Sequence, residues 1–307
     1  MNLLHLRYAV EVAKVGSLNR AAENLLVAQP NLSRSIKELE GEIGITIFER
    51  LPKGMKLTVQ GEEFIGYAKG ILGQIDAVEN LYKTGNPLKN RFSISVPRAS
   101  YISEAFNEFS KTVDSETYEL FYKETNSKKA IDNLLNSDYA LGVIRYAKNY
   151  DDYFEAMLKE KGIAHETVAE FSYVLVMSKE NPLAQKDDIC FDDLKPYIEI
   201  AHADPYVPSV SMAKVQKEEI PDNINRRIFV FERASEMELL SSNKETFMWV
   251  SPTPDNLLER FGLVQKRCSE NHKKYRDVLI YKEGYKLSEL DKGFIDALVT
   301  AKRKYLK

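Results

Sequence analysis

The sequence has few of the residues that carry covalent or metal chemistry. Among its 307 residues there are two cysteines, Cys190 and Cys268, without CxxC spacing. That excludes a disulfide framework and a cysteine-rich zinc site. The four histidines, His5, His165, His202 and His272, form no HxxxH pair and have no carboxylate cluster beside them, so no metal is expected. There is no GxSxG, no GxxxxGK[ST] and no GxGxxG, which leaves turnover without recognisable machinery: no cofactor and no catalytic residue is expected. Long apolar runs are missing too. None approaches the roughly 18 residues that would span a bilayer, and the N-terminus lacks the zones of a signal peptide, so the expectation is a cytoplasmic chain with no membrane partner. Charge of either sign is scarce in net terms: residues 1–89 carry 11 Lys+Arg against 10 Asp+Glu, or +1, and the remainder 32 against 36, or −4. Any nucleic acid must therefore be held by a small placed surface rather than by bulk charge.

What is present begins with three short helical patterns. In "LLHLRYAVEVAKVG" the residues Leu3, Leu6, Ala9, Val10 and Ala13 recur at helical spacing, and Gly16 ends the run. Ser17 is a cap for a second helix, Leu18 to Leu26, whose expected inner face is Leu18, Ala21, Ala22, Leu25 and Leu26. A third starts at Gln29 and Pro30, since proline is tolerated in the first turn of a helix but not inside one. At about 100° per residue, Leu32, Ile36, Leu39 and Ile43 share one face. Pro30, Ser33, Arg34, Lys37 and Gly41 fall opposite, with Glu38, Glu40 and Glu42 on the flanks or near the end. Two helices at a tight turn, the second with a small, polar, basic face, form a helix-turn-helix. Gln29 can bond an adenine edge, Arg34 a guanine edge, and Ser33 and Lys37 a base or a phosphate. A solvated face on a small bundle would have the same polarity. The segment "LPKGMKLTVQGEEF" adds a hairpin with Lys53 and Lys56 at its tip, which makes a winged helix whose lysines can lie along phosphates.

The run from "LRYAVEVAKVGSLNRAA" through "QPNLSRSIKELE" and "GITIFER" to "LTVQGEEF" resembles the N-terminus of LysR-type transcriptional regulators, in order and in spacing. The resemblance implies DNA contacts at Gln29, Pro30, Ser33 and Arg34 and at the wing around Lys53. One position departs from it: the family commonly has Ser or Thr before the Gln-Pro pair, where this chain has Ala28. Loss of such a cap costs about 1 kcal/mol.

From Glu62 to Lys83 a further apolar stripe spans roughly 33 Å of helix. Phe64, Ala68, Ile71, Leu72, Ile75, Val78 and Leu81 are its candidate dimerisation residues, to be paired with the same stripe of a second copy. Packing within the chain is the alternative, and the resemblance implies the dimer. Gly85 and Pro87 then mark a hinge. Beyond Arg91, strands and helices alternate as βαβαβ and then in a second set, which predicts two α/β lobes with a cleft like that of periplasmic binding proteins. The expected fold is thus an all-α winged head (1–60), a linker helix and hinge (61–89) and a two-lobed α/β regulatory domain (90–307). Lobe I would comprise about 90–167 and 268–307, and lobe II about 168–267. Ser100, Asn126 and Ser127 at helix N-termini, with Arg145 and His202, are the candidate effector contacts, and backbone N–H groups there suit an anion. Helix caps and a surface ion pair are the plainer readings of the same residues. The expected partners are double-stranded DNA, a small-molecule effector, one or three further copies of the chain, and RNA polymerase. A binding protein or enzyme with an incidental helical head, or an architectural DNA-binding protein without effector, are the competing classes.

Overall fold

The computed structural model describes residues 2–51, 54–83, 90–114, 117–202, 204–219, 224–231 and 233–306. The chain divides into two compact units, residues 1–88 with 136–138, and residues 89–135 with 139–307.

In the first unit α1 (Leu3–Val15), α2 (Leu18–Asn24) and α3 (Gln29–Ile43) precede an antiparallel hairpin, β1 (Phe48–Leu51) and β2 (Gly54–Leu57), and then α4 (Val59–Lys83). Gly16 closes α1 at φ 65°, its N–H bonding the Val12 carbonyl. The Gly16 carbonyl in turn accepts from the Met55 N–H at 2.8 Å. This seats the hairpin on the α1–α2 turn so closely that a Cβ at Gly54 would lie 2.4 Å from the Gly16 oxygen. Leu6, Ala9 and Val12 of α1 meet Ala21, Ala22, Leu32, Ile36 and Leu39 in the core. Leu3, expected in that stripe, is 48% exposed because α1 only begins there.

Two expectations need correction in this unit. Leu26 is not buried: α2 stops at Asn24, and Leu26 adopts φ 54° and is 93% exposed. The Val27 N–H bonds the Ala22 carbonyl and the Leu26 N–H the Glu23 carbonyl, which is a Schellman stop with leucine where glycine is the usual occupant. The stripe of α4 is not a free seam either. Ile65, Ala68 and Leu72 are buried in the core of their own unit, Phe64 packs against it, and α4 lies against α1. In-chain packing claims that face because α1 offers an apolar groove beside it. Tyr67 and Ile71 remain exposed and Ile75 is half-buried. The side chains of Val78 and Leu81, like Lys53 and the hinge with Gly85 and Pro87, lie outside the described residues.

In the second unit, β3 (Asn90–Val96), α5 (Ser100–Thr112), β4 (Tyr118–Glu124), α6 (Ser127–Asn136) and β5 (Leu141–Ala147) give the expected βαβαβ arrangement, β3 pairing in parallel with both neighbours. The order continues with α7 (Asp151–Glu160), β6 (Ile163–Phe171), β7 (Val174–Ser178), α8 (Phe191–Leu194), β8 (Ile198–His202), α9 (Met212–Glu219) and β9 (Arg227–Val230). It ends with α10 (Arg233–Ser242), β10 (Thr246–Val250), α11 (Asp255–Arg260), β11 (Leu263–Lys266), β12 (Tyr275–Lys282) and α12 (Glu289–Tyr305). The first lobe's sheet runs β4-β3-β5-β12-β6 and the second's β11-β7-β10-β8-β9. Because β6 stays in the first sheet through Phe171, the crossing between lobes falls beside Tyr173 rather than at residue 168. Clustered rings of Phe92, Phe109 and Phe294 bind α5 and α12 to the first sheet.

Candidate DNA-contacting surface and effector cleft

Helix α3 starts without a side-chain cap: Ala28 is the extended N-cap residue and makes no capping bond, as its methyl group dictates. Leu32, Ile36 and Leu39 anchor the inner face. Gln29, Pro30, Ser33, Arg34 and Lys37 then line one shallow depression on the outer face together with Glu38. Pro30, Arg34 and Lys37 are exposed, Gln29 and Ser33 half-buried, and Lys56 on the hairpin is exposed. Glu40 has a role that the sequence concealed. Its carboxylate accepts from the Ile47 and Phe48 N–H groups at 2.7 and 3.1 Å, tying the end of α3 to the start of the hairpin.

The second unit holds a cavity of about 540 Å³ between its lobes. Its walls include the ends of β3, β4, β5 and β8, the face of β10 and the chain just before β12. Asn126, Ser127, Arg145 and His202 all line it, but Ser100 does not. Each of these side chains is already engaged. Asn126 caps α6 by accepting from the Lys129 N–H at 2.8 Å, and its amide donates to Asp204 at 3.0 Å. The Ser127 hydroxyl accepts from the Arg145 N–H at 3.0 Å and donates to the Arg145 carbonyl at 2.8 Å, pinning α6 to β5. Ser100 is buried and accepts from Arg233 Nη2 at 3.0 Å, because α10 of the other lobe covers that helix start. His202 Nε2 lies 2.8 Å from Glu236 and Nδ1 lies 3.1 Å from the Val230 carbonyl oxygen.

Arg145 is the most committed of them. It stands directly across the β5–β12 ladder from Asp277, and its Nε and Nη2 reach the two carboxylate oxygens at 2.7 Å each. Asp277 is fully buried, and Tyr101 donates a third bond to it at 2.5 Å. Burial alone would lower the pKa of the guanidinium, but the charge and hydrogen bonds of Asp277 outweigh it and the pKa is raised. The Tyr101 hydroxyl is pushed well up by burial and by the adjacent carboxylate. An Arg145 so held is a structural strut, with Nη1 3.4 Å from the buried Ser251 hydroxyl.

Sequence reasoning passed over the ion pairs that join the lobes. Arg98 Nη1 and Nη2 donate to the two carboxylate oxygens of Asp204 at 3.2 and 3.4 Å. Arg233 Nη1 donates to Glu124 at 2.8 Å. Burial raises the pKa of the Glu124 carboxyl, against the opposing pull of Arg233. Arg98 sits inside the "PRASY" loop that the sequence singled out for Ser100, so the loop was identified and its charged member was not.

A helix-turn-helix with a hairpin wing, a long helix and two α/β lobes around a cleft define a winged-helix head joined to a two-lobed binding domain. Residues 3–62 match the bacterial regulatory helix-turn-helix proteins of the lysR family. The regulator AlsR of Bacillus subtilis is 30% identical over 207 residues, which is 66% of this chain and 65% of AlsR, just under two thirds of that relative's length. CbnR in complex with its target DNA shares the fold at a TM-score of 0.60 and 17% identity, covering 98% of this chain and 100% of CbnR. Full-length LysG of Corynebacterium glutamicum, with arginine bound as effector, does so at 0.60 and 15%, covering 100% of both chains. Residues 3–62 thus form a helix-turn-helix head of the lysR-family type.

Proposed function

We propose that this chain is a sequence-specific DNA-binding transcriptional regulator whose second unit answers to a small molecule bound between its lobes. The observation that carries the reading is the division of α3: Leu32, Ile36 and Leu39 are buried while Pro30, Arg34 and Lys37 are exposed and Gln29 and Ser33 half-buried along one opposite face. A helix anchored in this way can enter a major groove without disturbing its core. Arg34 and Gln29 read base edges, Ser33 and Lys37 hold bases or phosphates, and the wing with Lys53 and Lys56 follows the backbone. The matched relative AlsR is a transcriptional regulator and CbnR has been crystallised on its target DNA, which supports the reading. The effector enters the inter-lobe cavity and acts only through its different affinities for two arrangements of the lobes.

The protein works in the cytoplasm as a homodimer or homotetramer on a two-fold related site, and communicates with RNA polymerase. The α4 surface left for a second copy is the side carrying Tyr67, Ile71 and Ile75. Selection of bound sequences from random DNA, followed by titration in rising salt, tests the function: a specific site bound in the nanomolar range with steep salt dependence is expected. Arg34→Ala then loses roughly 1–3 kcal/mol and relaxes preference at one base step. Binding with no sequence preference, or an unaltered preference in the variant, refutes the assignment.

A further inference from the structure

Each cation lining the inter-lobe cavity faces a carboxylate, yet one pairing differs in kind among the described residues. Arg145 and Asp277 belong to adjacent strands of one sheet, and Lys273 meets Glu219 at 2.8 Å beside a hydroxyl bond from Tyr275 to the same carboxylate. Arg98 takes its counter-ion, Asp204, out of a segment after β8 that belongs to no helix or strand, whereas Glu219, the counter-ion of Lys273, is fixed in α9. Both guanidinium nitrogens address the two carboxylate oxygens. The Asn126 amide adds a bond to the carboxylate at 3.0 Å and another to the Asp204 carbonyl at 3.3 Å. Asn126 is held in orientation by its own capping bond to Lys129. Fork geometry from an arginine, joined by an oriented amide at a helix start, is how proteins receive a carboxylate.

We propose that Arg98 and Asn126 form a carboxylate-receiving site that Asp204 fills when no effector is bound, and that an effector carboxylate works by taking the place of Asp204. The proposal rests on the reading of the cavity as an effector site and names the chemistry of that effector. A carboxylate tethered through a short segment competes at an effective concentration on the order of millimolar. A simple acid of similar intrinsic affinity is therefore kept out, and only a ligand gaining further contacts along the cavity wall, such as the rings of Tyr206 and Trp249, displaces it. Displacement cuts the link at Asp204 while the Arg233–Glu124, Lys273–Glu219 and Tyr275–Glu219 contacts between the lobes stay in place.

The test is chemical rescue in the full chain, with acetate as the probe and sodium chloride of equal ionic strength as the reference. Asp204→Ala vacates the site, so acetate at ten times its Kd should raise the unfolding temperature of this variant by about 3–6 °C over chloride. The unaltered chain should show no such shift, and neither should the Arg98→Ala/Asp204→Ala double variant. An equal acetate response with and without Asp204, or one that survives Arg98→Ala, overturns the proposal. Should Asp204→Ala fail to fold, Asp204→Asn removes the charge at nearly constant shape and is measured in the same way. Thermal rescue is read without DNA: a chain that binds no specific DNA yet passes keeps the carboxylate site and loses the regulatory reading, while one that binds DNA and fails loses only this inference.

Discussion

Replacing Arg145 by alanine should unfold the second unit at far lower temperature, for reasons unconnected with any ligand. Asp277 is fully buried and receives two 2.7 Å bonds from Arg145. Without them it keeps, among the described residues, the Tyr101 hydroxyl alone. Stripping one partner from a buried ion pair costs about 3–5 kcal/mol, because the remaining charge is left uncompensated in a poorly polarisable interior. For a unit of this size each kcal/mol is about 2–4 °C, so a fall of roughly 6–20 °C is expected. Trp249, the one tryptophan of the sequence, lies in β10 and reports this unit alone by fluorescence. Removing the whole network should do less harm than removing one member. Arg145→Met with Asp277→Leu would leave the Tyr101 hydroxyl buried and unpaired, at about 1–3 kcal/mol. Adding Tyr101→Phe removes that cost, so the triple variant should unfold well above Arg145→Ala. If Arg145→Ala melts within about 2 °C of the unaltered chain, or the triple variant is no better than the single one, Arg145 is not the strut described here.

The end of α2 gives a stabilising change: Leu26→Gly removes a side chain from a left-handed position and should raise the stability of the first unit by about 0.5–1 kcal/mol, read by amide hydrogen exchange in α2. Gly61→Ala should act the other way, costing about 1–3 kcal/mol, since a Cβ there would lie 2.1 Å from the Ile47 carbonyl oxygen; an unchanged exchange profile would contradict the contact. Asp193 is held at a pKa of about 2, first by its hydrogen bond from Lys186 and then by the Cys190 N–H. Its folded pKa is depressed, so its contribution to stability is complete above the ordinary aspartate value of about 3.9 and disappears as pH falls toward 2. A carbon NMR titration should show Lys186→Ala moving that midpoint upward, and an unmoved midpoint would reject the cause. Ile71→Glu should weaken self-association by sedimentation while leaving the fold of the first unit intact, because Ile71 is exposed whereas Leu72 beside it is core.

The parts of the fold that the sequence revealed are those whose cause is local. The inner face of α3 is written at spacings of three and four, and the βαβαβ start of the second unit follows from short apolar strands alternating with amphipathic helices. The α4 stripe was equally visible, but periodicity says only that a face is apolar and not what covers it. Ala68 and Leu72 turn out to be claimed by α1 of the same chain. Leu26 was misread because the stop after Asn24 is made by backbone bonds, with no glycine to mark it. At the cleft, the helix starts bearing Asn126 and Ser127 were legible, yet the partners deciding what those side chains do lie far off in sequence. Arg145 and Asp277 are 132 positions apart, Arg98 and Asp204 106, and Arg233 and Glu124 109. No period encodes such pairs, since folding alone brings them together. The difference between them is the one that matters for function. Arg145–Asp277 joins neighbouring strands of one sheet, and opening it would mean breaking that sheet. Arg98–Asp204 and Arg233–Glu124 join separate lobes, so a ligand can exchange them without unfolding either. On the proposed function, a small molecule acts on the second kind of pair, with the first holding the walls in place.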